Sequence, residues 1–272
     1  MTRGLALWVR RELSLALEAR WFVANLFIFL GGGLLLVVFG AGDTIAGYRG
    51  FAKAFTGLVH LALLFVPLMA IIPAAAVIAG DRESGALEYF LAQPVSAGEV
   101  YFGKLGGVAT ALVLSLVVGF GTTGAVAVLR GVPPGLVAAL FGYVVLLALV
   151  FVAAGLSVSA AAATRARATT VGIVGWLVLV VFGTLGLVVA FVRIGVPEWA
   201  LVAWTFVNPV EAFRLGVMCA LDPDLSLLGP VGASIVTRLS NAGAAWLAAG
   251  SLGAWTAGAT AAGWWLFRRA QA

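Results

Sequence analysis

The stretch from Gly80 to Lys104, GDRESGALEYFLAQPVSAGEVYFGK, decides how the chain is to be read. It sets Asp81, Arg82, Glu83, Glu88 and Glu99 between two long apolar runs and closes on Lys104. Four of the chain's eleven acidic residues fall inside it, which marks it as a segment held outside an apolar phase. Gly85 follows the first charges, and ALEYFLA after it is a short helix. Gln93-Pro94 ends that helix, because proline has no amide to donate and clashes with the preceding turn. Ser96 then opens an S-x-x-E pattern with Glu99, a capping box in which each residue satisfies the other's backbone amide. A new helix therefore starts near Ala97 and runs into the following apolar segment. Gly103, Gly106 and Gly107 on it let a neighbouring helix approach closely. The result is a helical elbow joined rigidly to a span, so that a push on the elbow moves the span.

Composition fixes the solvent. The chain has 272 residues, of which 63% are hydrophobic and 10% charged. Soluble domains carry about 25% charged residues, so this chain cannot cover a water-facing surface and reads as an integral membrane protein. The net charge of +5 is no sign of nucleic-acid binding, since the arginines cap apolar segments and form no stripe. Cys219 is the only cysteine, which excludes an intrachain disulfide. The first twenty residues carry Arg3, Arg10, Arg11, Glu12, Glu18 and Arg20 and have no apolar core or cleavage site. No removable signal peptide is expected.

A spanning helix needs about 20 mainly apolar residues. Six segments qualify: about 21–41, 57–80, 105–129, 136–162, 169–192 and 242–267. The expected fold is an all-α integral membrane protein in one domain over 1–272. An even span count puts both termini on one side. With the N-terminus inside, ten of the sixteen Lys and Arg residues are cytoplasmic and six are outside. The short loop at Thr164–Ala168 and the terminal Arg268-Arg269 agree, so N-in and C-in is expected. Residues 1–20 are too charged to span. On a helical wheel Leu5, Trp8, Val9, Leu13 and Ala16 gather on one side and Arg10, Arg11, Ser14 and Glu18 on the other. That is a helix lying in the cytoplasmic interface, with Leu7 and Glu12 breaking the pattern.

On the outer side, residues 193–241 are too apolar for a free loop and too interrupted for a span. Asn208-Pro209-Val210-Glu211 is a helix start: Asn caps, Pro suits the first helical position, and an acid suits the first turn. Two short helices partly entering the outer leaflet are expected, their broken backbone covered by protein. Asp222-Pro223-Asp224 reads as an exposed turn, and Gly42–Thr56 as a short polar loop. Trp199 and Trp204 suit the headgroup zone. No tandem or inverted repeat is visible.

The chemistry of an enzyme is missing. His60 is the only histidine, expected to face the bundle interior, with an intramembrane proton or metal site as the alternative. No Walker lysine loop or HExxH occurs. Met218-Cys219 offers soft donors for a cuprous ion, but adjacent helical residues point about 100° apart, so no metal site is assigned. Pro67, Pro73 and Gly31–Gly33 mark kinks or close packing. No cofactor is expected on this chain.

The elbow resembles that of type-2 ABC exporter permeases. The shared pattern is an acidic, basic, acidic triplet, a glycine, a Leu-Glu helix, Pro-Val-Ser, an acid and Gly-Lys. Here those are Asp81, Arg82, Glu83, Gly85, Leu87, Glu88, Pro94, Val95, Ser96, Glu99, Gly103 and Lys104. Ala86 stands where that family usually has Thr, and Ala97 where it has a basic residue. The resemblance implies that the elbow is a coupling helix between spans 2 and 3. Asp81, Arg82, Glu83, Gly85, Leu87, Glu88, Pro94, Ser96 and Glu99 would then meet a separate cytoplasmic ABC ATPase that carries ATP and Mg. Within that family, NPVEAFRLGVM, Arg10–Leu13 and Leu266–Arg269 are similar to permeases of the NosY type, which serve nitrous oxide reductase maturation. That implies a homodimer in a bacterial or archaeal inner membrane, a NosF-like ATPase and a periplasmic NosD-like protein. Asn208, Pro209, Glu211, Phe213 and Arg214 would form the outer partner or gating segment. The alternatives are an export permease for a drug, lipid or peptide, and a membrane scaffold or receptor that uses no ATPase and whose charged loop is merely solvated.

Overall fold

A computed structural model describes residues 2–40, 47–183, 197–222, 235 and 239–271. Among the described residues the regular structure is entirely helical. In chain order the helices are α1 (Thr2–Glu18), α2 (Arg20–Phe27), α3 (Gly33–Gly40), α4 (Gly47–Glu83), α5 (Ala86–Leu91) and α6 (Ala97–Leu129). They continue with α7 (Pro134–Ala161), α8 (Arg165–Leu177), α9 (Glu198–Val207), α10 (Pro209–Leu221) and α11 (Asn241–Arg269). A π-helical turn, Ile28–Gly32, joins α2 to α3, and another, Val178–Phe182, extends α8.

Among the described residues five helical segments are long and apolar enough to cross a membrane: Arg20–Phe39, Phe55–Glu83, Ala97–Leu129, Pro134–Ala161 and Arg165–Phe182. The sixth expected span, 242–267, falls within the 29-residue α11. At about 1.5 Å per residue α11 has the length to span. Its sequence, rich in Ala, Gly and Trp, is less apolar than the other five. The expected polar loop Gly42–Thr56 is corrected in part: from Gly47 onward it is helix, the first turns of α4. Residues 42–46, the end of the fifth expected span and Pro223-Asp224 lie outside the described residues.

Small residues and interhelical hydrogen bonds build the bundle, as expected where lipid tails remove the hydrophobic drive. Gly155 of α7 sits against Ile71, Ala74 and Ala75 of α4 in the buried centre. A methyl group on Gly155 would come within 2.8 Å of both the Ala74 side chain and the Ile71 carbonyl. Pro67 and Pro73 sit inside α4, which remains one helix through both. Side chains also cross between helices. Tyr143 donates to the Ala245 carbonyl at 2.8 Å, Tyr101 to that of Thr260 at 3.1 Å, and Ser157 to that of Ala259 at 2.6 Å. All three tie α6 or α7 to α11. Asn25 of α2 donates to Ser115 of α6, and Thr123 donates to the Phe29 carbonyl at 3.2 Å, beside the π turn.

α1 lies along the start of α6. Cβ atoms added at Gly103 and Gly107 would overlap Trp8 and Glu12, and one at Gly106 would touch Val9 at 3.0 Å. The three glycines let a neighbour in, as their spacing predicts, and that neighbour is α1. The face of α1 that docks is the expected one at Trp8, Val9, Leu13 and Ala16, but Leu5 is exposed and Glu12 is buried with them. The glycine groove receives Trp8 and Glu12, one turn apart at i, i+4 spacing. His60 is also corrected. It lies on the outside of α4 and its ring nitrogen Nδ1 is 2.8 Å from the Thr56 carbonyl, one turn back.

Gly107→Val forces a side chain against the Val9 carbonyl and the Leu13 amide, each 3.2 Å from the added Cβ. Backbone cannot yield as a side chain does, so the overpacking should cost about 1–3 kcal/mol. Thermal unfolding in detergent should drop and trypsin should gain access to Arg10-Arg11. Gly121→Val, at a position open to at least 4 Å, should behave as the parent chain.

Candidate functional site

The elbow is built as its residues dictate. α4 ends at Glu83, and Gly85 turns the chain at φ 74°, a left-handed conformation that glycine adopts without strain. α5 then runs for one and a half turns and stops before Pro94. Ser96 accepts from the Glu99 amide at 3.2 Å while Glu99 accepts from the Ser96 amide at 3.0 Å. The short helix, the break and the capping box all stand where the sequence places them.

In the acidic, basic, acidic triplet Asp81 and Arg82 are half-buried and Glu83 is exposed, and each residue ties a different element. Asp81 accepts from Lys104 Nζ on α6, and Lys104 also donates to Glu12 on α1 at 3.0 Å. Lys104 is only 1% exposed and Glu12 6%. Burying such charges costs several kcal/mol each unless they are paired and hydrogen-bonded, so the three hold one another in place. Arg82 reaches across to the end of α7, where it donates to the Ala160 carbonyl at 3.0 Å and to the carbonyl of Ala162. Those carbonyls belong to the last turn of a helix, where they lack partners and the dipole favours a cation. Glu83 accepts from the Arg165 amide at 2.8 Å, an anion at the N-terminus of α8, which Thr164 also caps by accepting from Arg167 at 3.3 Å. Three consecutive residues therefore fasten the elbow to α1, α6, α7 and α8.

α5 is anchored on one side and open on the other. Leu87 is buried among Ile78, Val100, Tyr101, Leu156 and Phe267. Phe90 meets Trp8 edge-on at 5.1 Å, and the Arg11 guanidinium lies 4.5 Å from the Phe90 ring. Glu88, Gln93, Pro94 and Ser96 are exposed, with Tyr89 at 66%. Of the nine elbow residues singled out from the sequence, Glu88, Pro94 and Ser96 belong to this open face beside the exposed Gly85. Asp81 and Arg82 point into the protein, Leu87 is core, and Glu83 and Glu99 spend their carboxylates on helix starts.

The sequence reasoning missed Glu12 and treated Lys104 only as the end of a motif. One signal was available: Glu12 falls on the same i, i+4 row as Trp8 and Ala16, so a docking α1 has to bury it against a cation. Tyr89, the largest exposed side chain of α5, was also passed over.

At the opposite end, α9 and α10 form the expected pair of short helices, broken at Asn208. Asn208 caps α10 by accepting from the Val210 amide at 2.9 Å and donates to the Leu179 carbonyl at 3.1 Å. The opened backbone is covered by α11: Trp255 donates to the Val207 carbonyl at 2.8 Å, and Ser251 to that of Phe206. Asn208, Pro209, Glu211 and Phe213 are buried. Arg214 pairs with Glu211 at 3.2 Å and keeps 29% of its side chain exposed. The five residues come together as one packed helix start with a single partly open side chain. Among the described residues no cluster of three or more metal-ligating side chains occurs, and Cys219 is buried.

Removing Lys104 should leave Asp81 without its cation and Glu12 with Arg11 alone. Lys104→Met is expected to lower stability by about 3–5 kcal/mol, read as loss of monodisperse protein on heating. Glu12→Leu in the same chain should recover part of that loss; no recovery would mean the pair is not coupled.

The family model for "ABC-2 family transporter protein" matches residues 8–272. A probable ABC transporter permease protein NosY of Pseudomonas aeruginosa is 30% identical over 272 residues, 96% of each chain. Its counterpart from Stutzerimonas stutzeri is 29% identical over 230 residues, 81% of this chain and 83% of the relative.

Proposed function

Because the chain belongs to the ABC-2 family of transporter proteins, we propose that its elbow is the coupling helix that receives a cytoplasmic, NosF-like ABC ATPase. The observation behind this is the two-sided build of α5. Its inner face is fixed by Leu87 and Phe90, and its outer face offers Glu88, Tyr89, Gln93 and Pro94. A loop that was merely solvated has no need of four anchor points. ATP and Mg belong to the partner, and this chain is the non-enzymatic permease subunit.

The proposed topology has a single domain over 1–272 with six spans, α11 being the sixth. Both termini face the cytoplasm of a bacterial or archaeal inner membrane, with α1 in the interface. Closure of the ATPases pushes α5, and the triplet passes the push to α1, α4, α6, α7 and α8 as a unit. The motion reaches α9 and α10 through α11 and through the Asn208 contact with Leu179. The chain works as a homodimer. Two spans favour this, because Arg20–Phe39 is 22% buried and Arg165–Phe182 11% buried over their most apolar windows, leaving apolar faces for lipid and a second copy.

The output we propose is conformational work for maturation of the copper site of nitrous oxide reductase, a denitrification enzyme, with a NosD-like periplasmic partner at the far end. The relatives carrying the NosY name support this choice. The second reading, an export permease for a drug, lipid or peptide, is favoured by how little of Asn208–Arg214 is open to a protein partner.

Gentle purification with identification of co-purifying proteins by mass spectrometry separates these outcomes. An ATPase with a periplasmic repeat-type protein supports maturation; an ATPase alone supports export; neither contradicts the coupling assignment. In the same assay Glu88→Lys should reduce the bound ATPase at least about tenfold, a loss of ~1.4 kcal/mol, with insertion unchanged. Full retention of the ATPase would remove Glu88 from the interface.

A further inference from the structure

A cleft of about 620 Å³ opens beside the elbow, between α1, the second half of α4 and the start of α6. That is within the ~300–1,000 Å³ usual for small-ligand sites. Its mouth is lined by Arg11, Glu12, Asp81, Glu83, Lys104 and Arg165, and its floor by Leu15, Trp21, Pro73, Val77 and Val108. Along α4 alone the wall passes from Glu83 through Gly80 and Val77 to Pro73. The ten steps between Pro73 and Glu83 cover about 15 Å at 1.5 Å per residue, from charge to hydrocarbon. A soluble ligand has no use for that gradient. A membrane lipid does, with its head at the mouth and a chain on the floor.

The charges at the mouth narrow the head. Lys104 is taken up by Glu12 and Asp81. Arg11 pairs with Glu12 at 3.1 Å but remains 43% exposed. Arg165 is exposed and makes no ion pair among the described residues. Glu83 uses one carboxylate oxygen on the Arg165 amide, and its other oxygen has no partner among the described residues. The mouth therefore offers an unpaired guanidinium next to an unpaired carboxylate oxygen. A dianion would meet Glu12, Asp81 and Glu83 at the same opening and be repelled.

We propose that the cleft holds one zwitterionic aminophospholipid per chain. Its phosphodiester sits on Arg165 and Arg11, its ammonium on Glu83, and an acyl chain lies along Trp21, Pro73 and Val77. Trp21, at the joint between α1 and α2, stands where an interfacial aromatic is favoured. The lipid packs beneath α1, against the Lys104 network, and fills the gap that α1 spans. This rests on reading the elbow end as the boundary between bilayer and cytoplasm.

Two measurements test it on the complex as purified from membranes. Native mass spectrometry in mild detergent should find one phosphatidylethanolamine held per chain, and Arg165→Gln should hold at least about fivefold less. Thermal unfolding of delipidated parent protein should rise with added phosphatidylethanolamine and stay flat with phosphatidylglycerol or inorganic phosphate. Equal retention by Arg165→Gln overturns the site. Equal stabilisation by phosphatidylglycerol makes it a general lipid effect, and a rise with phosphate alone makes it a free-anion site; either overturns the proposal. The parent titration decides the matter if the variant fails to fold. ATPase retained in a preparation without the lipid sinks the lipid site alone, whereas lipid retained without any ATPase sinks the coupling assignment alone.

Discussion

The structure depends on keeping Lys104 charged inside the protein. An ammonium that is 1% exposed has to be surrounded by anions, and the two it finds come from different helices, Glu12 of α1 and Asp81 of α4. Neither could be supplied by α6 itself, where Gly103 and Gly107 flank the lysine and leave room for α1. The ion network therefore fixes the angle at which α1 crosses α6 and the place where α4 ends. Arg82 and Glu83 extend it by the opposite-charge rule at helix ends, a cation on the last carbonyls of α7 and an anion at the first amides of α8. Such an arrangement is poor as a source of net stability but strong as a device for register, since displacement of any one helix strands a charge.

Rigidity at the elbow has a mechanical consequence. α5 is only six residues long and would not hold a shape alone. Pinned by Leu87, by Phe90 on Trp8 and by the triplet at its base, it is held as a rigid piece, as the proposed coupling requires. At the other end the chain is built differently. The break at Asn208 leaves backbone carbonyls open, and α11 supplies Trp255 and Ser251 to close them. These are hydrogen bonds of neutral groups, which exchange partners at lower cost than the buried charges of the elbow. Under the proposed coupling, a push that cannot deform the elbow would be delivered to a region better able to rearrange.

Most of what is local was legible in the sequence. The α5 helix, its proline stop, the Ser96 and Glu99 box and the break at Asn208-Pro209 each follow from neighbours within four residues, and each stands where it was expected. The close approach at Gly103, Gly106 and Gly107 was legible too, though not which helix would use it. What escaped depends on partners far along the chain. Glu12 lies 92 residues from Lys104, and a wheel drawn for α1 by itself can only treat it as a fault in an apolar face. Asp81, Arg82 and Glu83 were read as a surface for a separate ATPase, because charge between two apolar runs is expected to face water; here Lys104 and the ends of α7 and α8 arrive to use them. His60 was placed inside because a polar ring in an apolar run is expected to seek the interior, whereas its own backbone at Thr56 satisfies it on the outside.

The most direct test of the rigid elbow is a spin-label distance between Leu7 on α1 and Ala92 at the end of α5, both exposed. The single native cysteine is buried, so introduced cysteines can be labelled selectively. The distance would be measured in the complex with its co-purified ATPase, with and without bound nucleotide. An elbow fastened through Lys104 gives one narrow distance that is the same in both states. A distance that broadens or shifts with nucleotide would mean that α5 moves independently of α1, and the triplet would not be the fixed link between the ATPase and the spans.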